Sequence, residues 1–115
     1  MSEVIERNVT EVLIGPRRLA GIISIPECAR GLVIFAHGSG SSRFSPRNAY
    51  VAEALQHAGF ATLLLDLLTP GEERDRANVF DIGLLAAGLE QATDWAAAQP
   101  PIADLPIGYF GASTG

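Results

Sequence analysis

A single serine near the end of the printed sequence has the surroundings of a nucleophile. Ser113 lies in Gly111-Ala112-Ser113-Thr114-Gly115, a match to G-x-S-x-G, directly after the apolar residues 107–110. Between a strand and a helix this pattern is typical of a tight, strained turn that exposes the serine hydroxyl above a sheet. Glycines two residues either side leave room where Cβ atoms would collide. Because the motif alone is weak, a turn serine in a glycine-rich loop is the alternative interpretation.

A second glycine-rich segment lies upstream and follows another apolar run. His37-Gly38-Ser39-Gly40 comes directly after residues 31–36, which are continuously apolar. Such a run indicates a strand that is covered on both faces. If both apolar runs are parallel strands, their carboxyl ends lie at one edge of the sheet, where sites of α/β proteins form. Arg43 follows this loop and is a candidate contact for an anionic substrate, although a solvated rim residue is the simpler interpretation.

The elements that must position these loops alternate along the chain. Helix 1 is predicted to begin at Ser45-Pro46, an N-cap followed by proline, and to stop at Gly59. Strand–helix alternation predicts right-handed crossovers and a mostly parallel sheet. The predicted strands are residues 8–14, 19–25, 31–36, 60–68 and 106–110, and the predicted helices are residues 45–59 and 81–99. Residues 69–76 are predicted to form a charged loop, in which the charge run of residues 72–76 is solvated. The predicted fold is therefore α/β, a three-layer α/β/α sandwich whose sheet begins with an antiparallel hairpin.

Apolar periodicity also predicts which side of each helix is buried. In both helices apolar residues recur at helical spacing and form one stripe. The first stripe comprises Tyr50, Val51, Ala54, Leu55 and Ala58, and the second comprises Ile82, Leu85, Leu89, Ala92 and Ala96.

Composition excludes several classes of function. The chain has 115 residues, 48% hydrophobic and 18% charged, which indicates one small globular unit and not a disordered tail. A net charge of −5 argues against a nucleic-acid or anionic-membrane surface. The single cysteine, Cys28, permits no internal disulfide, and no apolar run is long enough to span a bilayer. With no signal-peptide pattern at the start, a cytoplasmic setting is the default expectation.

These segments together resemble the α/β-hydrolase fold, in its dienelactone-hydrolase-like branch. The resemblance covers almost the whole chain and is carried by VIFAHGSGSSRFSPRN, ATLLLDLLT and IGYFGASTG. It implies that Ser113 is the nucleophile and that the backbone N–H groups of Ser39 and Thr114 stabilise the oxyanion. Gly38 and Arg43 are separate candidates for substrate binding on the Ser39 loop. Dienelactone hydrolases carry cysteine at the elbow, so Ser113 points to a serine esterase or lactonase. The implied substrate is a small ester, lactone or thioester, and the chemistry needs no cofactor or metal.

The resemblance also implies partners for Ser113 that the printed sequence does not supply. In this fold the triad runs Ser, then Asp or Glu, then His, whereas His37 and His57 both precede Ser113. We expect structural or surface roles for both histidines. Residues 1–115 are therefore interpreted as the N-terminal half of one hydrolase domain ending at the elbow, as a fragment or as one piece of a split protein. Asp66, at the end of residues 60–68, is expected to cap backbone groups or, alternatively, to tune the nucleophile.

Two other functions compete with hydrolysis. Gly38-Ser39-Gly40 after a strand is faintly like a dinucleotide fingerprint, but the third glycine is absent, because Arg43 follows Ser42. A nucleotide-binding α/β module is thus one alternative. The other is an inactive hydrolase half that acts only by pairing its last strand with another chain, whether a complementing C-terminal segment or a second copy.

Overall fold

The computed structural model describes residues 7–36, 44–75 and 81–111, and these form one mixed α/β sheet with helices on both sides. The elements agree in type and order with the sequence predictions, apart from one additional short helix. In chain order they are β1 (Arg7–Ile14), β2 (Leu19–Pro26), β3 (Leu32–Ala36), α1 (Pro46–His57), β4 (Ala61–Leu65), α2 (Pro70–Glu73), α3 (Ile82–Ala97) and β5 (Ile107–Gly111).

The sheet combines an antiparallel hairpin with three parallel strands. Its order is β1-β2-β4-β3-β5, with β2 antiparallel to β4 and β3 parallel to both β4 and β5. The predicted hairpin of β1 and β2 turns at residues 15–18, where Gly15 has φ +72° and the Arg18 N–H donates to the Gly15 carbonyl at 3.0 Å. Glycine reaches that φ without the strain of a Cβ.

Each face of the sheet packs against a different helix, which confirms the predicted three-layer architecture. Side chains alternate along β3, so that Ile34 lies on one face and Phe35 on the other. Helix α3 covers the face built of aliphatic residues, and α1 covers the opposite face. The α3 face is built from Ile14, Leu19, Ile23, Leu32, Ile34, Leu63 and Leu65; the α1 face is built from Phe35 and Leu64 with Ile22 and Val33.

The predicted buried stripe of α1 is wrong for three of its five residues. Tyr50 is 75% exposed, and Ala54 and Ala58 are also exposed. The helix instead buries Asn48, Ala52 and Gln56, with Val51 and Leu55 packed beside them. The small Ala52 permits close approach to the sheet, and Gln56 is accommodated because its Nε2 donates to Thr62 Oγ1 at 2.7 Å. For α3 the stripe is confirmed from Leu85 onward, whereas Ile82 is 70% exposed.

Helix α1 begins after its predicted N-cap, Ser45, and α3 begins directly after Asp81, the predicted first residue of that helix. The Ser45 side chain accepts from the Asn48 N–H at 3.4 Å, and the Asp81 side chain accepts from the Leu84 N–H at 3.0 Å. Gly59, with φ +97°, directly follows the C-cap of α1. These contacts satisfy backbone groups that a helix end leaves without partners. Among the described residues, no helix has both the length and the apolar character needed to cross a bilayer.

Candidate functional site

The three parallel strands end together at one edge of the sheet, which we call the carboxyl edge. The last residue of β3, Ala36, is the register partner of Leu65 in β4 and of Gly111 in β5. Neighbouring strands lie about 4.8 Å apart. The segments that follow these three strands therefore start side by side. Across the sheet, the segment after β3 lies between those after β4 and β5.

The predicted catalytic residues are attached to this edge but lie outside the described residues. Ser113 and Thr114 come two and three positions after Gly111, and the loop from His37 through Gly38 and Ser39 to Arg43 follows Ala36 directly. What the structure establishes is where their two segments begin: at adjacent register positions. The geometry of the hydroxyl and of the two backbone N–H groups stays a prediction.

Asp66 is the one described acidic residue that directly follows a parallel strand at the carboxyl edge. It is partly buried, and its backbone N–H donates to the Ala20 carbonyl at 2.9 Å, which extends the pairing of β4 with β2. That placement agrees with its prediction as a residue at the end of a central strand.

His57 lies at the other end of the molecule from this edge. It is the last residue of α1 and is exposed, and the chain passes from there to the amino end of β4 at Ala61. A histidine at the amino edge of the sheet cannot reach a nucleophile at the carboxyl edge. The predicted surface role of His57 is therefore consistent with the structure, and Arg47, at the start of α1, is likewise exposed.

The segment after β4 contains a short capped helix, α2, where the sequence predicted a solvated loop. Thr69 and Glu72 form a capping box around α2: the Glu72 N–H donates to Thr69 Oγ1 at 3.1 Å, and the Thr69 N–H donates to Glu72 Oε1 at 2.9 Å. The T-P-x-E pattern could have predicted this, since it combines an N-cap, proline at the first position and a glutamate at the third. Leu67 and Leu68, which precede it, are both buried.

Glu72 also forms an ion pair that no sequence pattern indicated. Arg17, in the β1–β2 turn, donates from Nη2 to Glu72 Oε1 at 2.6 Å and from Nε to Oε2 at 3.1 Å. The hydrogen bonds from Arg17, above all, hold the pKa of the Glu72 carboxyl below its ordinary value, with Thr69 adding to the effect and burial opposing it. The prediction that the charge run of residues 72–76 is solvated is therefore wrong for Glu72.

A shallow groove lies elsewhere, between α3 and the edge strand β5. It is formed by the helix residues Leu89, Glu90, Thr93 and Asp94 together with Tyr109, whose hydroxyl lies 2.7 Å from Thr93 Oγ1. Because it lies on a face of the sheet and not at the carboxyl edge, it is separate from the predicted nucleophile. Nowhere in residues 7–36, 44–75 and 81–111 do three or more His, Cys, Asp or Glu side chains come together as a metal site.

Two comparisons with known proteins give matches, and a third gives none. No family model matches the chain. Two Mycobacterium tuberculosis proteins, from strains CDC 1551 and H37Rv, are each 66% identical to it over 105 residues, and each carries the name "Putative phosphoribosyl transferase". That alignment takes in 91% of the chain but 24% of each relative. The chain therefore spans about a quarter of the length of the curated relatives it matches.

The solved structures that resemble the chain are dienelactone hydrolases and esterases. A dienelactone hydrolase from Anabaena variabilis is 56% identical, with a TM-score of 0.86 over 96% of the chain and 53% of that protein. A dienelactone hydrolase-like promiscuous phosphotriesterase from metagenomic libraries shares 17% identity at a TM-score of 0.71, and the esterase Est1E from Butyrivibrio proteoclasticus shares 19% at 0.71. They are covered over 50% and 41% of their length, and at these identities they bear on the fold alone. The resemblance drawn from the three motifs is confirmed, and it supports a hydrolase at a general level.

Proposed function

Because the chain has the dienelactone-hydrolase-like form of the α/β-hydrolase fold, we propose that its full-length protein is a serine hydrolase acting on a small ester, lactone or thioester. The observation that carries this proposal is the register of Ala36 with Gly111. Because of this register, the segment that carries Ser39 and the segment that carries Ser113 begin at neighbouring positions. They do so at the carboxyl edge, where α/β folds bind ligands.

The proposed chemistry is acyl transfer through Ser113. A base removes the hydroxyl proton as the oxygen attacks the carbonyl carbon; the bond to the alcohol or thiol then breaks, and the leaving group takes that proton. Water, deprotonated by the same base, next attacks the acyl-enzyme, which releases the carboxylic acid and returns the proton to the Ser113 oxygen. The backbone N–H groups of Ser39 and Thr114 donate to the oxygen that becomes negative, and each such donor typically lowers the barrier by about 2.7–4 kcal/mol. Donors from two separate loops are compatible with this topology, because the two loops leave neighbouring strands about 4.8 Å apart. Gly38 and Arg43, on the first of these loops, are proposed to border the substrate.

The acid and the base are proposed to come from sequence beyond residue 115. His57 lies at the opposite edge of the sheet, and the chain covers only 53% of the similar dienelactone hydrolase. Residues 1–115 are accordingly proposed to be the N-terminal half of one hydrolase domain, completed by a later segment that pairs with β5. In the described part of the chain β5 is an edge strand, with Tyr109 55% exposed. An unpaired edge of this kind is a template for another strand.

The test is hydrolysis of p-nitrophenyl acetate and butyrate by the full-length protein and its Ser113→Ala variant. We expect kcat/KM to fall by at least about a thousandfold, since one member of a catalytic triad is removed. Ser24→Ala is the matched control: Ser24 pairs with Thr62 near the amino end of β4, far from the carboxyl edge. Equal activity of Ser113→Ala and Ser24→Ala would refute the proposal.

A second candidate function comes from the name of the Mycobacterium tuberculosis relatives. They are roughly twice as long as the similar dienelactone hydrolase, since the chain covers 24% of the first and 53% of the second. There is thus room for a hydrolase domain and another domain of similar size. We propose that phosphoribosyl transfer, if the full-length protein performs it, belongs to that other domain.

This second candidate is tested by pyrophosphate release from phosphoribosyl pyrophosphate with nucleobase acceptors. We expect any such activity to survive Ser113→Ala unchanged while ester hydrolysis is lost. Loss of both activities together would instead assign the transferase chemistry to this chain. The same preparations answer the nucleotide-module alternative, for which we expect no calorimetric heat with NAD or ATP beyond dilution.

A further inference from the structure

Arg17 joins three elements that are distant in sequence. Its two bonds to the Glu72 carboxylate are accompanied by a bond from Nη2 to the Leu67 carbonyl at 3.1 Å and one from Nη1 to the Leu84 carbonyl at 3.4 Å. The β1–β2 turn is thereby tied to the segment after β4 and to the first turn of α3. We call Arg17 with Glu72 and these two carbonyls the clamp.

The clamp lies at the carboxyl edge. Since β2 runs antiparallel to β4, the amino end of β2 lies beside the carboxyl end of β4, and Ala20 accepts the hydrogen bond of the Asp66 N–H. The β1–β2 turn immediately precedes that end of β2. Arg17 therefore lies at the carboxyl edge, the same edge at which β5 leads into the segment of Ser113.

The segment held by the clamp leaves the strand next to the one that leads into the predicted oxyanion loop. Strand β4 is the direct neighbour of β3, so residues 66–75 leave the edge beside the loop that carries Ser39. Leu67 anchors the root of the segment against α3: a Cβ on Gly88 would lie 3.3 Å from both Leu67 Cδ2 and the Leu67 carbonyl oxygen. Farther along, the position of α2 depends on Glu72, whose Oε1 accepts from Thr69 N–H and from Arg17 at once.

We propose that Arg17 and Glu72 are positioning residues of the acyl-transfer site: the clamp fixes residues 66–75 as the wall of the substrate cleft beside the oxyanion loop. This inference rests on the proposed function. An exposed ion pair is worth little, because solvent screens it and both side chains lose freedom. Here the side chains are 17% and 27% exposed, the guanidinium contacts the carboxylate through two bonds, and the same group binds two backbone carbonyls. A forked contact of this kind fixes geometry as well as charge.

The experiment measures kcat and KM of the full-length protein with p-nitrophenyl acetate and p-nitrophenyl octanoate. Arg17→Met, Glu72→Gln and the double variant are compared with Arg18→Met and Glu53→Gln, matched changes at exposed residues outside the clamp and outside residues 66–75. We expect both clamp variants to lose about tenfold in kcat/KM for the octanoate and less for the acetate, because misplacement of a substrate wall affects the longer acyl chain more. The double variant should lose no more than either single variant, since all three break one unit. Both controls should stay within twofold of the parent.

Arg17→Lys keeps the measurement informative if Arg17→Met does not fold. Lysine retains the attraction to Glu72 but not the forked geometry, so we expect a folded protein with an intermediate loss for the octanoate. Assays are run well below the lowest melting midpoint, so that lost activity is not lost folding. Lower melting midpoints with kcat/KM within twofold for both esters, or additive losses in the double variant, would overturn the inference. Activity that survives Ser113→Ala in the same assay would instead refute the proposed function, and the two failures are thus distinguishable.

Discussion

Helices α1 and α3 cover opposite faces of the same sheet, and they do so with different chemistry. Each buries a row of three residues spaced four apart: Asn48, Ala52 and Gln56 in α1, and Gly88, Ala92 and Ala96 in α3. The row of α3 contains no polar side chain, and large apolar residues pack on either side of it. The row of α1 has a polar residue at each end.

The difference follows from what each helix meets. At Gly88 the α3 backbone comes so close to Leu19 and Leu67 that a Cβ would lie 3.3 Å from a methyl carbon of each. Helix α1 instead meets Thr62, which is 1% exposed and whose hydroxyl accepts from the Gln56 amide. A buried hydroxyl needs such a partner, because leaving it without one costs about 1–3 kcal/mol. In α1 a small residue and a satisfied polar pair, more than the apolar stripe, decide which side is buried, whereas in α3 the small residues and the apolar stripe lie on the same side.

The largest expected effect distinguishes the two sides of α1 directly. Ala52 is 1% exposed and Ala54 is exposed, although the apolar stripe assigned burial to Ala54. We expect Ala52→Leu to lower the free energy of unfolding by up to about 3 kcal/mol, because three added carbons must enter a packed layer with Phe35 and Leu64. Ala54→Leu, the same change two residues away, should alter it by less than about 0.5 kcal/mol. Urea unfolding of the full-length protein measures both changes. Equal losses of stability would show that Ala54 is buried as the apolar stripe predicted, and would contradict this account of α1.

A smaller effect tests the polar contact under α1. We expect Gln56→Leu to destabilise the protein by about 2 kcal/mol, because the Thr62 hydroxyl loses its donor in a buried position. Combining it with Thr62→Val should recover part of that loss, since the valine leaves no buried hydroxyl without a donor. The same unfolding experiment measures the recovery. A double variant less stable than Gln56→Leu alone would contradict this role of the pair.

The smallest expected effect concerns the clamp, which ties the β1–β2 turn to α3. The Glu72 carboxylate makes the stability of the folded protein depend on pH. Because Arg17 lowers the pKa of Glu72 in the folded protein, the carboxylate contributes stability in full above its unfolded-state pKa of about 4.5. This contribution is lost as the pH falls through the lower, folded-state pKa. We expect less than about 1 kcal/mol, since both side chains are partly exposed. Melting midpoints between pH 6 and pH 3 should fall less steeply for Glu72→Gln than for the parent. Equal slopes would show that Glu72 does not contribute to the pH dependence of stability.

Much of the fold could be predicted from the sequence because its signals are local. Ser45-Pro46, Asp81 and Gly59 begin or end helices through contacts within a few residues. Continuous apolar runs indicated β3 and β4, although β4 ends at Leu65 and residues 66–68, predicted as part of it, are not strand. The burial of Gln56 could not be predicted, because it depends on a hydroxyl that only the folded sheet brings beneath α1. The pairing of Arg17 with Glu72 joins residues 55 positions apart and has no pattern of its own. For the candidate site, the sequence predicted the two loops, and the structure adds that their strands end side by side.

The most direct test of the central claim is covalent labelling of the full-length protein with a fluorophosphonate. An activated serine displaces fluoride and keeps the phosphonyl group, whereas an ordinary turn serine does not react. We predict one adduct per molecule, located by peptide mass spectrometry on Ser113, with complete loss of esterase activity. An unlabelled Ser113 in protein that still hydrolyses esters, or an adduct on another residue, would contradict the account.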